Sequence, residues 1–287
     1  MASGLLSLAA RAARWLPESA RMALYRLGPI TRGLRTALNR AAPHGIQAVQ
    51  IAAGDLAGRW LLLDLQVDKD LWLGTYEPEV AAEIGRLAPG GAVAYDLGAN
   101  VGYTSLLMAD AVGSEGRVIA FEPLPSNLDR LRQAVALNRL EGIIEIVEAA
   151  VGDSDGPAEF RIHRSGSMGR LEARRPDAET ADRIMVDVLR LDSFVYGQRH
   201  PEPSLVKLDV EGGEVAALRG MMRVLNEARP VLLVELHGPE AAAEVFAVLE
   251  RAGYQAWTLG ESPSVLTTPA MMYGTKHVVG RALERGR

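Results

Sequence analysis

Three stretches of the 287-residue sequence place carboxylates, glycines and a histidine at spacings that chemistry can use. In Val93-Ala-Tyr-Asp96-Leu-Gly98-Ala-Asn100-Val-Gly102-Tyr103 an apolar run ends in an acid, and a glycine-spaced turn follows. Open α/β sheets form ligand crevices at such strand-to-helix junctions, where Gly98 and Gly102 would let backbone approach a bound molecule. Tight turns need glycine for their own geometry as well, so this motif alone decides little. A second acid, Glu122, ends the next apolar run in Ala120-Phe-Glu122-Pro123. A carboxylate there lies beside the first turn and can accept hydrogen bonds from both hydroxyls of a ribose. The order Asp-x-Gly-x-Asn-x-Gly then separates nucleoside ligands. Dinucleotide sites set Gly-x-Gly-x-x-Gly and helix amides against a pyrophosphate. Asp96 would repel phosphate and suits the cationic amino-acid end of S-adenosylmethionine, with a turn or helix-capping acid as the competing explanation.

The second stretch is Lys207-Leu-Asp209-Val-Glu211-Gly-Gly-Glu214, and the third is Val234-Glu235-Leu-His237-Gly. Alternate side chains of a strand share a face, so Lys207, Asp209 and Glu211 point one way if the strand runs that far. Glu235 and His237 share a face across the adjoining strand. Asp209 then falls where the cofactor's sulfonium is expected. The chain has only three lysines among its 31 basic residues, so Lys207 suggests a compact ammonium chosen to partner a carboxylate. An alcohol oxygen attacks a methyl group poorly until its proton is removed, and a general base contributes roughly 10²–10⁴-fold. Asp209, Glu211 and His237 are the candidates. Histidine is the natural base near neutral pH, against the alternative of a capped loop residue. Asp209, Glu235 and His237 could instead hold a divalent cation that acidifies the acceptor hydroxyl. Their spacing is a weak metal signature, so catalysis without a metal is the expectation. Tyr76 and Glu77 could cover the cofactor, although capping and packing explain them equally well. Ser167 and Met168 could reach the acceptor.

These residues need a frame. Strands are expected at Val93–Leu97, Arg117–Phe121, Ile143–Val147, Leu205–Asp209, Val231–Leu236, near Gln255–Leu259 and at Lys276–Val279. Helices are expected at Pro78–Leu87, Tyr103–Ala111, Ser126–Asn138, from Glu214, and at Pro239–Ala252. Alternation of this kind predicts a parallel sheet with helices on both faces. Residues 46–66 read as a hairpin about Gly54-Asp55. Arg164 to Asp182 reads as a surface loop beside the site, between Ala158–Ile162 and Ile184–Leu189. The absence of cysteine excludes disulfides, cysteine-ligated zinc and iron–sulfur clusters. A net charge of −5 argues against a general nucleic-acid binder. Residues 1–40 carry seven arginines and one acid. They read as basic amphipathic helices, either packed as a lid or touching anionic lipid or a partner. With no apolar run of spanning length, and Gly4–Ala10 too short for a secretion signal, a cytoplasmic location is expected, with peripheral membrane contact through residues 1–40 as an alternative.

From about Trp72 to Leu259 the sequence resembles the FkbM-type methyltransferases of the class I, S-adenosylmethionine-dependent superfamily. The resemblance is carried by Trp72-Leu-Gly-Thr-Tyr76-Glu77, Asp96-Leu-Gly-Ala-Asn-Val-Gly102, Phe121-Glu-Pro-Leu-Pro-Ser-Asn127, Ala149-Ala-Val-Gly-Asp153 and, most specifically, Val206-Lys-Leu-Asp-Val-Glu-Gly-Gly-Glu214. It implies a Rossmann-like α/β sheet of seven mostly parallel strands with the last antiparallel. It also implies O-methylation, often of sugar or natural-product hydroxyls. Asp96, Gly98 and Asn100 would meet the methionine end of the cofactor, Glu122 its ribose and Asp153 its adenine side. Glu77, Gly102, Pro123, Asn127 and Asp209 complete the cofactor set implied by the motifs. Gly213 and Leu208 are mild departures from the family's usual alanine and isoleucine. Residues 46–287 are expected to form the methyltransferase domain, and residues 1–45 a helical extension. A nicotinamide oxidoreductase would need a third glycine at the helix start and glycine at Asn100. A non-catalytic cofactor-binding module fits the same residues. The expected partner is a small-molecule or glycan hydroxyl acceptor, and the oligomeric state is left open.

Overall fold

The computed structural model describes residues 44–163, 169–171 and 180–284. Residues 1–43, for which basic amphipathic helices are expected, lie outside the described residues, as do Ser167 and Met168. Strands β1 (Ile46–Gln50) and β2 (Trp60–Asp64) lead through α1 (Lys69–Leu73) and α2 (Pro78–Leu87) into β3 (Val93–Leu97), α3 (Tyr103–Val112), β4 (Arg117–Phe121), α4 (Pro125–Leu137) and β5 (Ile144–Val147). Four strands follow: β6 (Ala150–Val151), β7 (Gly156–His163), β8 (Gly169–Leu171) and β9 (Thr180–Leu189). A π-helical turn at Ser193–Gly197 precedes β10 (Leu205–Leu208), α5 (Glu214–Gly220), α6 (Met222–Glu227), β11 (Val231–Glu235) and α7 (Pro239–Arg251). The described chain closes with β12 (Tyr254–Thr258), β13 (Val265–Leu266), α8 (Pro269–Met272) and β14 (His277–Ala282).

The main sheet runs β13-β12-β14-β11-β10-β3-β4-β5. The five strands from β11 to β5 are parallel, and β14 is antiparallel to both β11 and β12. It has eight strands rather than the expected seven, the extra one being the two-residue edge strand β13. Pleating divides the strand residues between two cores. Ala94, Val118, Ala120, Leu205 and Leu233 pack with α2, α3, α4 and the β1–β2 pair. Tyr95, Leu97, Ile119, Phe121, Val206 and Val234 pack with the π-helical turn, α5, α6 and α7. Strands buried on both faces read as continuous apolar runs, which is why Val93–Leu97 and Val231–Val234 carry so little polarity. Helix α3 is buried along most of its length because it lies between the sheet and α2.

One expectation holds and one is corrected. The β1–β2 pair is antiparallel from Ile46↔Asp64 to Gln50↔Trp60, and within the connection the Ala57 amide donates to the Gly54 carbonyl at 3.0 Å, closing a turn over Gly54-Asp55. Ile51, Ala52, Ala53 and Leu56 are buried there, and the Ala52 amide donates to the Trp72 carbonyl at 2.8 Å. The stretch expected as a plain loop from Arg164 to Asp182 also contributes strand, since β8 pairs with β7, and β9 begins at Thr180. Phe160, Val186 and Val188 anchor this second sheet, ordered β6-β9-β7-β8, on a small apolar core of its own. Between β3 and β10 the strand order reverses direction, which opens a crevice at the strands' carboxyl ends. No helix among the described residues is long and apolar enough to cross a membrane.

Candidate active site

The turn after β3 is tied to its neighbours on both sides. Gly98 and Ala99 donate their amides to the Phe121 carbonyl at 3.0 and 2.9 Å, and the Asp209 amide donates to the Leu97 carbonyl at 3.1 Å. Gly98 has φ +87°, and a Cβ added to it would lie 1.9 Å from the Asp209 carbonyl oxygen. Glycine is therefore required here by the chain itself, whatever binds nearby. Gly98→Ala is expected to cost about 3 kcal/mol, from left-handed strain plus the displaced strand end. For a domain this size that lowers Tm by roughly 6–12 °C. Calorimetric melting of the variant checks it, and an unchanged Tm would mean that the two strand ends separate freely.

Glu122 is the centre of the crevice. It is 4% exposed. Its Oε2 accepts the Asn100 amide at 2.8 Å, and its Oε1 accepts the Leu124 amide at 2.9 Å and Asn127 Nδ2 at 3.3 Å. Burial pushes its carboxyl up to about 7 against the opposing pull of these bonds. A carboxylate offers roughly four acceptor positions. Three are taken by the Asn100 and Leu124 amides and by Asn127 Nδ2, the last of them a long bond. Around Glu122 the chain forms a crevice that is open to solvent. Gly98, Asn100, Pro123 and Asn127 line it, and Phe121, Ala150, Val151 and Phe160 supply an apolar wall. At the far end it is bounded by Asp209, Val210, Glu211 and Gly213.

Beyond that end lies a network of charge. Lys207 pairs with Asp209 Oδ2 at 2.9 Å and stands 3.9 Å from Asp96 Oδ1. Asp96 is fully buried, accepts Ser105 Oγ at 2.6 Å and leaves Oδ1 without a hydrogen-bond partner. Burial pushes Asp96 up, against Lys207 and Ser105. Burial disfavours the Lys207 ammonium, but Asp209 and Asp96 outweigh it and hold the proton on. His237 sits among Glu214 (Nδ1 to Oε1, 2.7 Å), Glu211 (Nε2 to Oε2, 3.3 Å) and Glu235 (Nε2 to Oε1, 3.5 Å). The Glu214 bond raises His237 to about 9 in spite of burial. On the next strand, His277 is in register with Glu235 and 3.2 Å from its Oε2. Lys276 bridges Glu235, at 3.2 Å, and Glu77. Burial would raise Glu235, yet His277 and Lys276 hold it well below the usual carboxylate range.

The structure thus distributes the sequence candidates unevenly. Gly98, Asn100, Glu122, Pro123, Asn127, Asp209 and Glu211 border one crevice. Asp96 and Lys207 are buried and do not line it, although Lys207 pairs with Asp209, which does, and Gly102 faces Leu131 within the core. Asp153 is exposed after β6 and is not among the crevice residues, because the strand ends just before it and turns to solvent. Glu77 faces Lys276 and His277 instead of the crevice, and Tyr76 packs edge-on against Tyr103. Asp209, Glu235 and His237 do not form one metal-ligand set. The ligand atoms that converge are those of Asp209, Glu211 and His237, and separately those of Glu77, Glu235 and His277. A chain ammonium already sits on a carboxylate in each set, Lys207 in the first and Lys276 in the second. The residues not singled out were Lys276, His277 and Phe160. The rarity of lysine that draws attention to Lys207 applies equally to Lys276, whereas Phe160 carries no signal beyond strand alternation.

Comparison with known proteins follows this geometry. Residues 96–256 match the Methyltransferase FkbM domain, more than half of the chain. The hexuronic acid methyltransferase AglP of Haloferax volcanii is 27% identical over 160 residues, covering 56% of this chain and 62% of that protein. The match therefore spans less than two thirds of that relative. Methyltransferase sdnD of Sordaria araneosa is 27% identical over 187 residues, covering 55% of this chain and 72% of that one. The crystal structure of methyltransferase FkbM from Methylobacillus flagellatus superimposes with a TM-score of 0.43 at 18% identity, covering 76% of this chain and 54% of the other. With its domain match beginning at Asp96 and ending on β12, the chain belongs to the FkbM methyltransferase domain family.

Proposed function

We propose that this chain is an S-adenosylmethionine-dependent O-methyltransferase acting on a hydroxyl of a sugar, glycolipid or secondary metabolite. The observation that carries the proposal is the double role of Asp209 and Glu211. Both border the crevice around Glu122, and both belong to the charged network that contains His237. A nucleoside site and a proton acceptor therefore share a wall. The residues present fit the cofactor. Glu122 is a buried carboxylate with acceptor capacity remaining, the apolar wall suits an adenine ring, and close backbone at Gly98 admits a ligand without side-chain obstruction. When bound, S-adenosylmethionine supplies a methyl group on a sulfonium, an electrophile with a neutral thioether leaving group.

The chain's own residues do the rest. Glu122 and Asn127 hold the ribose side, and Asp209, paired with Lys207 at 2.9 Å, stands at the junction. His237 Nε2 takes the acceptor's hydroxyl proton as the oxygen's electron pair forms the new bond to carbon and the carbon–sulfur pair stays on sulfur. The placement of Lys207 and Lys276 on the converging carboxylates supports base catalysis without a metal. The relative named for hexuronic acid supports a sugar acceptor, and a net charge of −5 supports a small-molecule or glycan partner over nucleic acid.

Titration calorimetry with S-adenosylmethionine, S-adenosylhomocysteine and NADH tests the cofactor. The first two are expected to bind and NADH to give no heat; NADH binding would establish the oxidoreductase instead. A panel of glycosides, with released S-adenosylhomocysteine as readout, tests turnover. Binding of S-adenosylmethionine with no release on any glycoside or in cell extract would leave a binding module.

A further inference from the structure

Glu214 is the first residue of α5 and is fully buried. Few acids are buried without a structural or chemical reason, because desolvating a carboxylate is costly unless it is well paired. Its Oε1 accepts the Gly212 amide at 2.8 Å and lies 2.7 Å from His237 Nδ1, while Oε2 has no hydrogen-bond partner. An ionised carboxylate only accepts hydrogen bonds, so this contact places a proton on Nδ1. The opposite nitrogen, Nε2, is then the one that can gain or lose a proton. Among the described residues three carboxylates face this ring: Glu211 from the β10–α5 connection, Glu214 from α5 and Glu235 from β11. Of these three, Glu214 approaches Nδ1, and Glu211 and Glu235 both approach Nε2, at 3.3 and 3.5 Å.

We propose that Glu214 is the positioning residue of a Glu214–His237 dyad, holding the ring with Nδ1 protonated and Nε2 turned toward the acceptor hydroxyl. This rests on His237 as the base. The arrangement follows the logic of hydrolase triads, in which a buried carboxylate fixes the histidine tautomer and stabilises the imidazolium formed by proton transfer. Glu214 touches neither cofactor nor acceptor in this scheme; it acts through the ring. The turn that delivers it is specific. Glu211 has φ +50° and Gly212 φ +94°, which reverses the chain after β10 and brings the start of α5 back under His237.

The first test uses the wild-type chain saturated with S-adenosylhomocysteine and labelled with ¹⁵N-histidine. At alkaline pH, where the ring is neutral, His237 is expected as the Nδ1–H tautomer. An Nε2–H tautomer would overturn the proposal without any variant. In Glu214→Gln the amide can donate as well as accept, so a tautomer mixture is expected. Its kcat on the best glycoside of the panel is expected to fall on the order of 10²-fold, with S-adenosylmethionine affinity within about threefold, and Glu214→Asp is expected to recover part of the loss. Adding Glu214→Gln to His237→Ala is expected to cost nothing further, since residues acting as a unit are non-additive. If His237→Ala is inactive while Glu214→Gln keeps full kcat and the wild-type tautomer, the dyad fails and the base survives. If His237→Ala keeps full activity, the base itself fails.

Discussion

His237→Ala is expected to lower kcat by roughly 10²–10⁴-fold, the range lost with a general base, while S-adenosylmethionine binds as before. The ring is not among the residues that line the crevice and is joined to it through Glu211, so its removal is expected to delete a proton acceptor and no cofactor contact. The pH profile carries a second signature. Glu214 raises the ring to about 9, so His237 is cationic at neutral pH and must lose its proton before it can accept another. The wild-type rate should therefore climb with pH and level off above about 9, and that limb should be missing in the variant. Measured kcat across pH 6 to 10, on wild type and variant, decides the matter. A variant with full activity and the same limb would remove His237 from the chemistry.

Glu122→Ala is expected to weaken S-adenosylmethionine binding by roughly 10–100-fold, the loss of one charge-assisted hydrogen bond worth about 1.5–3 kcal/mol. The Asn100 and Leu124 amides lose their acceptor at the same time, so the variant also becomes less stable. Glu122→Gln separates the two effects, since its amide oxygen can still take one of those amides. The wild type offers a test without mutation. Because burial raises Glu122 to about 7, the carboxyl becomes protonated as pH falls through that value and loses acceptor capacity for a ribose hydroxyl. Affinity should therefore decline on the acid side of about 7 and hold steady on the alkaline side. Calorimetry from pH 8.5 to 5.5 checks this, and a flat affinity in wild type together with unchanged binding by Glu122→Ala would take the ribose away from Glu122.

How much of this was legible beforehand depends on how local each cause is. A strand buried on both faces is a short continuous apolar run, so the runs at Val93–Leu97, Arg117–Phe121 and Val231–Leu236 announced themselves, and with them the sheet and the acids at its carboxyl edge. The turn glycines are equally local, although the reason for Gly98 is not: the atom it avoids belongs to Asp209, more than a hundred residues away. The turn at Gly54-Asp55 was legible for the same reason, whereas the bond from the Ala52 amide to the Trp72 carbonyl was not, since no turn rule contains that contact.

The amino-acid order determined the class of fold, the crevice acid Glu122 and the buried acid Asp96 behind it in the sheet, and the candidacy of His237, because each follows from short-range pattern. Which carboxylates meet which cations was decided only by tertiary structure. Strand β14 enters between β11 and β12, and that register sets His277 opposite Glu235 and carries Lys276 to Glu77 across 199 residues. Electrostatic interaction depends on distance in space and on exclusion of water. Neither quantity is written in a sequence until the sheet has chosen its neighbours.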